Sequence, residues 1–115
     1  MILIRLMQNK DNRKNKRISI QARATLGSKD FSGDGLLIDF SIQGLKLLLY
    51  NNEFIDIGQK LNISLETAPK PTTVQGVIKW VHKFKVEKLF DCAIGMELVD
   101  FDTAVHENLL QHAES

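Results

Sequence analysis

From Ile18 onward the chain repeats one pattern, an apolar side chain at every second position with polar ones between. Ile18, Ile20, Ala22, Ala24 and Leu26 alternate with Ser19, Gln21, Arg23 and Thr25, and Leu61, Ile63 and Leu65 alternate with Asn62, Ser64 and Glu66. A period of two puts one row on each face of a β-strand, so these segments read as strands with one wet face. The same reading gives a second strand over Leu36–Ser41, a third over Leu45–Tyr50 and a fifth over Thr72–Lys83. In a sixth, Leu89–Val99, Phe90, Cys92, Ile94, Met96 and Leu98 share a face. The fourth strand, Lys60–Thr67, is broken by Ala68-Pro69-Lys70-Pro71, since proline donates nothing to a sheet ladder. The Gly-, Ser- and Asp-rich stretch from Gly27 to Gly35 reads as a loop.

Six strands with short turns and no long helix between them imply an all-β fold, a six-stranded antiparallel barrel over residues 18–99. The end differs. Asp102 suits an N-cap, and Val105, Leu109 and Ala113 recur at helical spacing, so a short C-terminal helix is expected over 102–113. At 115 residues the chain fits a single domain with a core that needs neither disulfide nor metal. The lone Cys92, at an apolar position of an alternating run, reads as a buried hydrophobe and favours a reducing, cytoplasmic setting. The apolar start, Met1 to Met7, is interrupted by Arg5 and too short for a signal peptide or a membrane span.

Charge is unevenly placed. Residues 1–23 carry a net +6 and the remainder −5, although the whole chain is at +1. Residues 8–17 hold no apolar side chain and cannot bury anything, so a flexible basic arm over 1–17 is expected, with an anionic partner or plain solubility as its role. His106 and His112 stand six apart and His82 has no second ligand at metal spacing, so no metal site is read. Ser41 has Asp39 nearby but no histidine close in sequence, and no phosphate-cradling glycine loop is present, so no catalytic residues are assigned and the chain reads as a non-enzyme.

What remains is Arg13-Lys-Asn-Lys-Arg17 and, after one strand, Asp39-Phe-Ser-Ile-Gln-Gly44. In the second stretch Ile38, Phe40 and Ile42 form the expected buried row, with Asp39 and Ser41 on the other face and Gly44 ending the run. R-x-x-x-R followed by D-x-S-x-x-G resembles the signature of PilZ domains, bacterial receptors for cyclic di-GMP. Gly76-Val-Ile-Lys-Trp80 and Ala93-Ile-Gly-Met-Glu-Leu98 resemble that family's last strands, and the resemblance covers nearly the whole chain.

The resemblance implies that cyclic di-GMP is the ligand, with no cofactor. Arg13 and Arg17 would clamp it, Asp39 would accept from the guanine N1–H and N2–H₂ edge, Ser41 would contact base or phosphate, and Gly44 would let the turn come close. The chemistry suits these types: a guanidinium forks onto phosphate or onto guanine O6 and N7, whereas lysine offers a point charge, so Lys16 helps by attraction. Trp80 reads either as a core tryptophan, the reading its strand favours, or as a stacking platform. With no output domain in the sequence, the signal would pass to an effector protein; no DNA partner is expected. Two other classes use the same features. One is a single-stranded nucleic-acid-binding barrel, against which stands an aromatic content of only 7%; the other is a PilZ-like protein–protein adaptor without nucleotide.

Overall fold

The alternation becomes six antiparallel strands: β1 (Ile18–Gly27), β2 (Ser32–Phe40), β3 (Gly44–Leu49), β4 (Lys60–Leu65), β5 (Thr72–Lys83) and β6 (Cys92–Leu98). The structure, a computed structural model, describes residues 16–29, 32–50, 55–84, 89–100 and 102–114. Neighbouring strands run in the order β1-β2-β3-β6-β5-β4, and β4 closes the barrel by pairing Asn62–Leu65 with Ala24–Gly27 of β1. Inward rows meet at the centre, where Leu26, Leu37, Phe40, Leu47, Ile63, Ile78 and Ile94 are completely buried. Each side chain of this size contributes about 1.5–3 kcal/mol on leaving water, so the core needs no covalent staple.

β4 reaches only the second half of β1. Beside the first half lies the helix α1 (Thr103–Glu114), which packs on β1 and β5 and inserts the buried Leu109. It starts where expected: Asp102 Oδ1 accepts from the Ala104 N–H at 2.9 Å and the Val105 N–H at 3.4 Å, satisfying donors that a first turn leaves open. Three side chains fasten it. The Asn108 amide donates to Thr67 Oγ1, Thr72 Oγ1 and the Lys70 carbonyl at 3.1, 2.6 and 2.9 Å. His112 Nδ1 accepts from the Ala68 N–H at 3.0 Å, which leaves Nε2 to donate to the Gln21 carbonyl at 2.8 Å. The His106 ring meets Phe40 edge to face, centroids 5.4 Å apart.

Several boundaries differ from the sequence reading. Ser32–Gly35 is strand, not loop: Gly27 pairs with Ser32 and Ala24 with Gly35, because ladder bonds use the backbone and ask little of the side chains. Gly35 is required there, since a Cβ would strike the Leu48 carbonyl on β3. β6 begins at Cys92 rather than Leu89; Leu89 is exposed, and Phe90 leaves the inward row to stack on Tyr50 at 4.7 Å.

Two bulges alter which way side chains face. Between β2 and β3 the register shifts between Leu37 and Asp39, so that Leu37 and Phe40 point inward while Ile38 is only half-buried. The expected row Ile38–Phe40–Ile42 is therefore broken: Ile42 is 39% exposed and Ser41 is the buried neighbour. The register of β5 against β6 shifts between Ile78 and Trp80. One extra residue there inverts the alternation, turning both Lys79 and Trp80 outward, and Trp80 is 42% exposed. The core reading of this tryptophan is overturned.

Candidate functional site

The turn after β2 sets the site. Strand pairing stops at Phe40, the Ser41 N–H donates to the Gly44 carbonyl at 2.9 Å, and the chain returns as β3. This short closure puts Asp39 opposite Lys46 on the outer wall. Gly44 does not occupy the left-handed region; Gly58 is the glycine that does so among the described residues. Its missing Cβ serves packing instead, because a methyl group there would overlap the Met96 carbonyl on β6.

Arg17, just ahead of β1, lies over this turn. Its Nε donates to Asp39 Oδ1 at 2.7 Å, Nη2 is ion-paired with the same oxygen, and Nη1 donates to Ser41 Oγ at 3.2 Å. Ser41 Oγ also accepts from the Gln43 N–H at 3.3 Å. The hydroxyl is 3% exposed as a residue and ties the arginine to the turn. Charge-assisted bonds of this kind are the stronger class of hydrogen bond. Arg17 and Asp39, 22 residues apart in sequence, thus form one cluster. Arg13 lies outside the described residues. Lys16 is exposed and does not line the cluster's groove.

From this cluster a groove of about 450 Å³ runs across the outer wall of β3, β6 and β5. Arg17, Asp39, Ser41, Gln43, Gly44 and Lys46 line it from the β2–β3 side, and Lys79, Trp80 and Glu97 from β5 and β6, with Gly44 and Glu97 direct partners across the β3–β6 pairing. The Trp80 indole lies against Gly95, where any Cβ would overlap the ring. Lys46 Nζ stands 5.9 Å from the Trp80 ring centroid, and Lys79 Nζ is 3.8 Å from Glu97 Oε1. Sequence reasoning missed Gln43, Lys46, Lys79 and Glu97. Lys46 was the one within reach, since a hairpin closed at Ser41–Gly44 places it beside Asp39. Among the described residues no cluster of three or more His, Cys, Asp or Glu is arranged to hold a metal. Cys92 is buried far from nucleophilic use, its thiol pKa pushed up by burial and by the Asp91 carboxylate.

Cations, acceptors and one aromatic face on the outside of a closed, fully packed barrel define a small β-barrel module with a polar groove on its wall. The sequence matches the family model of the PilZ domain over residues 11–115, and the chain belongs to that family, whose proteins are cyclic di-GMP-binding receptors rather than enzymes. Solved structures of like fold include the Escherichia coli "PilZ domain with c-di-GMP of YcgR" (TM-score 0.68, 15% identity, 84% of each chain). The Bacillus subtilis inhibitor of motility, MotI/DgrA, aligns with TM-score 0.67 at 13% identity over 85% of this chain and 47% of its own. YcgR in complex with c-di-GMP, also from E. coli, aligns at 0.62 and 15% over 84% of this chain and 42% of its own. No match is found among curated protein sequences. Among the described residues no helix is long and apolar enough to cross a membrane.

Proposed function

We propose that this chain binds cyclic di-GMP in the groove between the Arg13/Arg17 segment and the Asp39–Gly44 turn, and passes the signal to an effector protein. The observation that supports it is the fork of Arg17 onto Asp39 and Ser41: the last arginine of R-x-x-x-R and both polar residues of D-x-S-x-x-G meet on one side of a groove. The parts suit the ligand. Asp39 offers an acceptor for the guanine N1–H and N2–H₂ edge, Arg17 offers a planar fork for phosphate or for guanine O6 and N7, and the exposed Trp80 offers a face for a base. Arg13 is assigned the same clamping role as Arg17 on family resemblance.

Binding in this scheme exchanges partners: the ligand's donors replace Arg17 at Asp39, and its phosphate receives the arginine. Closure of the basic segment over the ligand changes the surface an effector meets. Titration calorimetry tests the reading. Heat of binding at micromolar cyclic di-GMP, absent with linear GMP, is expected; no binding at millimolar ligand rejects it. A nucleic-acid-binding barrel would instead bind oligonucleotides with a steep loss of affinity in salt.

A further inference from the structure

The groove's three described cations differ in what neutralises them. Arg17 is spent on Asp39 and Ser41, and Lys79 stands within ion-pair distance of Glu97. Lys46 is the groove cation with no carboxylate partner among the described residues; its ammonium rests over the Trp80 ring instead. This placement is built into the register. Asp39 pairs with Lys46, Lys46 with Gly95, and Gly95 with Trp80, one row across β2, β3, β6 and β5. Gly95 leaves a gap in that row, through which the indole reaches across β6 toward β3. Leu45 and Leu47, buried on either side of Lys46 in sequence, anchor the backbone so that the side chain rises from a fixed point one strand spacing, about 4.8 Å, from the strand of Asp39.

A cation over a solvent-exposed ring is held weakly, and an anion placed nearby draws it off. We propose that Lys46 is the phosphate-binding cation of the groove's fixed wall and the placeholder on the Trp80 face. This inference rests on the cyclic di-GMP reading. An arriving guanine takes the ring, and the displaced ammonium pairs with the phosphate of the same ligand. The moving arginine and the fixed lysine then both hold the dinucleotide, and Lys46 contributes attraction before Arg17 has released Asp39.

Trp80 is the one tryptophan of the sequence, so intrinsic fluorescence reads this face directly. The full chain, Lys46→Met, Lys46→Arg and Lys79→Met are titrated with cyclic di-GMP at low and high ionic strength, with thermal melts to verify folding. Lys46→Met is expected to bind about tenfold more weakly at low salt, with the gap narrowing as salt screens the pair. Lys46→Arg retains affinity, and Lys79→Met loses clearly less than Lys46→Met. Quenching of Trp80 persists at saturation. Wild-type binding with Lys46→Met unchanged in affinity and salt dependence overturns the role of Lys46 alone, as does an equal loss in Lys79→Met. Absence of binding by the wild-type chain overturns the receptor reading and this inference with it.

Discussion

Arg17 spends all three of its nitrogens inside the protein, two on Asp39 and one on Ser41. A guanidinium can do this because its donors lie in one plane at fixed angles; an ammonium cannot. Replacing Arg17 with Ala is therefore expected to weaken cyclic di-GMP by roughly 1–3 kcal/mol, the range of a good bidentate contact, with little change in the melting temperature. Arg17→Lys restores only a small part, because the charge returns without the fork. Calorimetry on the three proteins checks both statements, and an unaltered affinity in Arg17→Ala would show that the assigned role is wrong. Ser41 and Gly44 act differently although they share a motif with Asp39. Ser41 is buried and braces the arginine, and Gly44 makes room for β6.

Among the elements, α1 is fastened through polar groups as much as through Leu109. Asn108 is buried and satisfies two threonine hydroxyls and a carbonyl. Asn108→Ala removes three donated bonds from a network in which Thr67 Oγ1 still bonds Thr72 Oγ1 and the Lys70 carbonyl. At about 0.5–1.5 kcal/mol net for each hydrogen bond, the expected loss is about 1–3 kcal/mol. Urea denaturation is expected to show a loss of that size, against almost none for the exposed Gln111→Ala. The strands and this helix were legible in the sequence because each declares its own period. Thr72–Lys83 matches its expected bounds, and Asp102 caps as its residue type suggests. The bulges were not legible. A bulge is set by the partner strand, and nothing within Gly76–Trp80 says that Lys79 and Trp80 will both turn outward. For the same reason the Asp39–Lys46–Gly95–Trp80 row could not be read: it depends on β3 lying beside β6, a pairing of strands distant in sequence. Strand alternation put Asp39 and Ser41 together as acceptors on one face, but joining them to Arg17 rested on motifs that resemble a family's, since spacing alone does not bring residues 17 and 39 together.

At the scale of the molecule, Cys92 reports on the barrel as a unit. Its thiol is completely buried at the start of β6, and burial, helped by Asp91 and opposed by Lys83, pushes its pKa up. The folded state thus holds the thiol proton more tightly than the unfolded chain. This contribution to stability is complete below about pH 8.5, where an unfolded thiol begins to ionise, and is lost as pH rises through the higher folded value. Urea midpoints are expected to fall less steeply at alkaline pH in Cys92→Ala than in the wild-type chain. A thiol reagent at neutral pH is expected to label Cys92 only as fast as the barrel opens; labelling on mixing would contradict the burial. The closed barrel has one further consequence. Its core points inward, while the groove, apart from the buried Ser41 and its packed neighbours on β3 and β6, is written in side chains on the outer wall. Mutations on that wall are largely uncoupled from folding, so selection can revise them at small cost to the scaffold. Fold likeness at 13–15% identity is what such a division of labour permits, and a domain built this way can drift toward a new ligand while its architecture stays put.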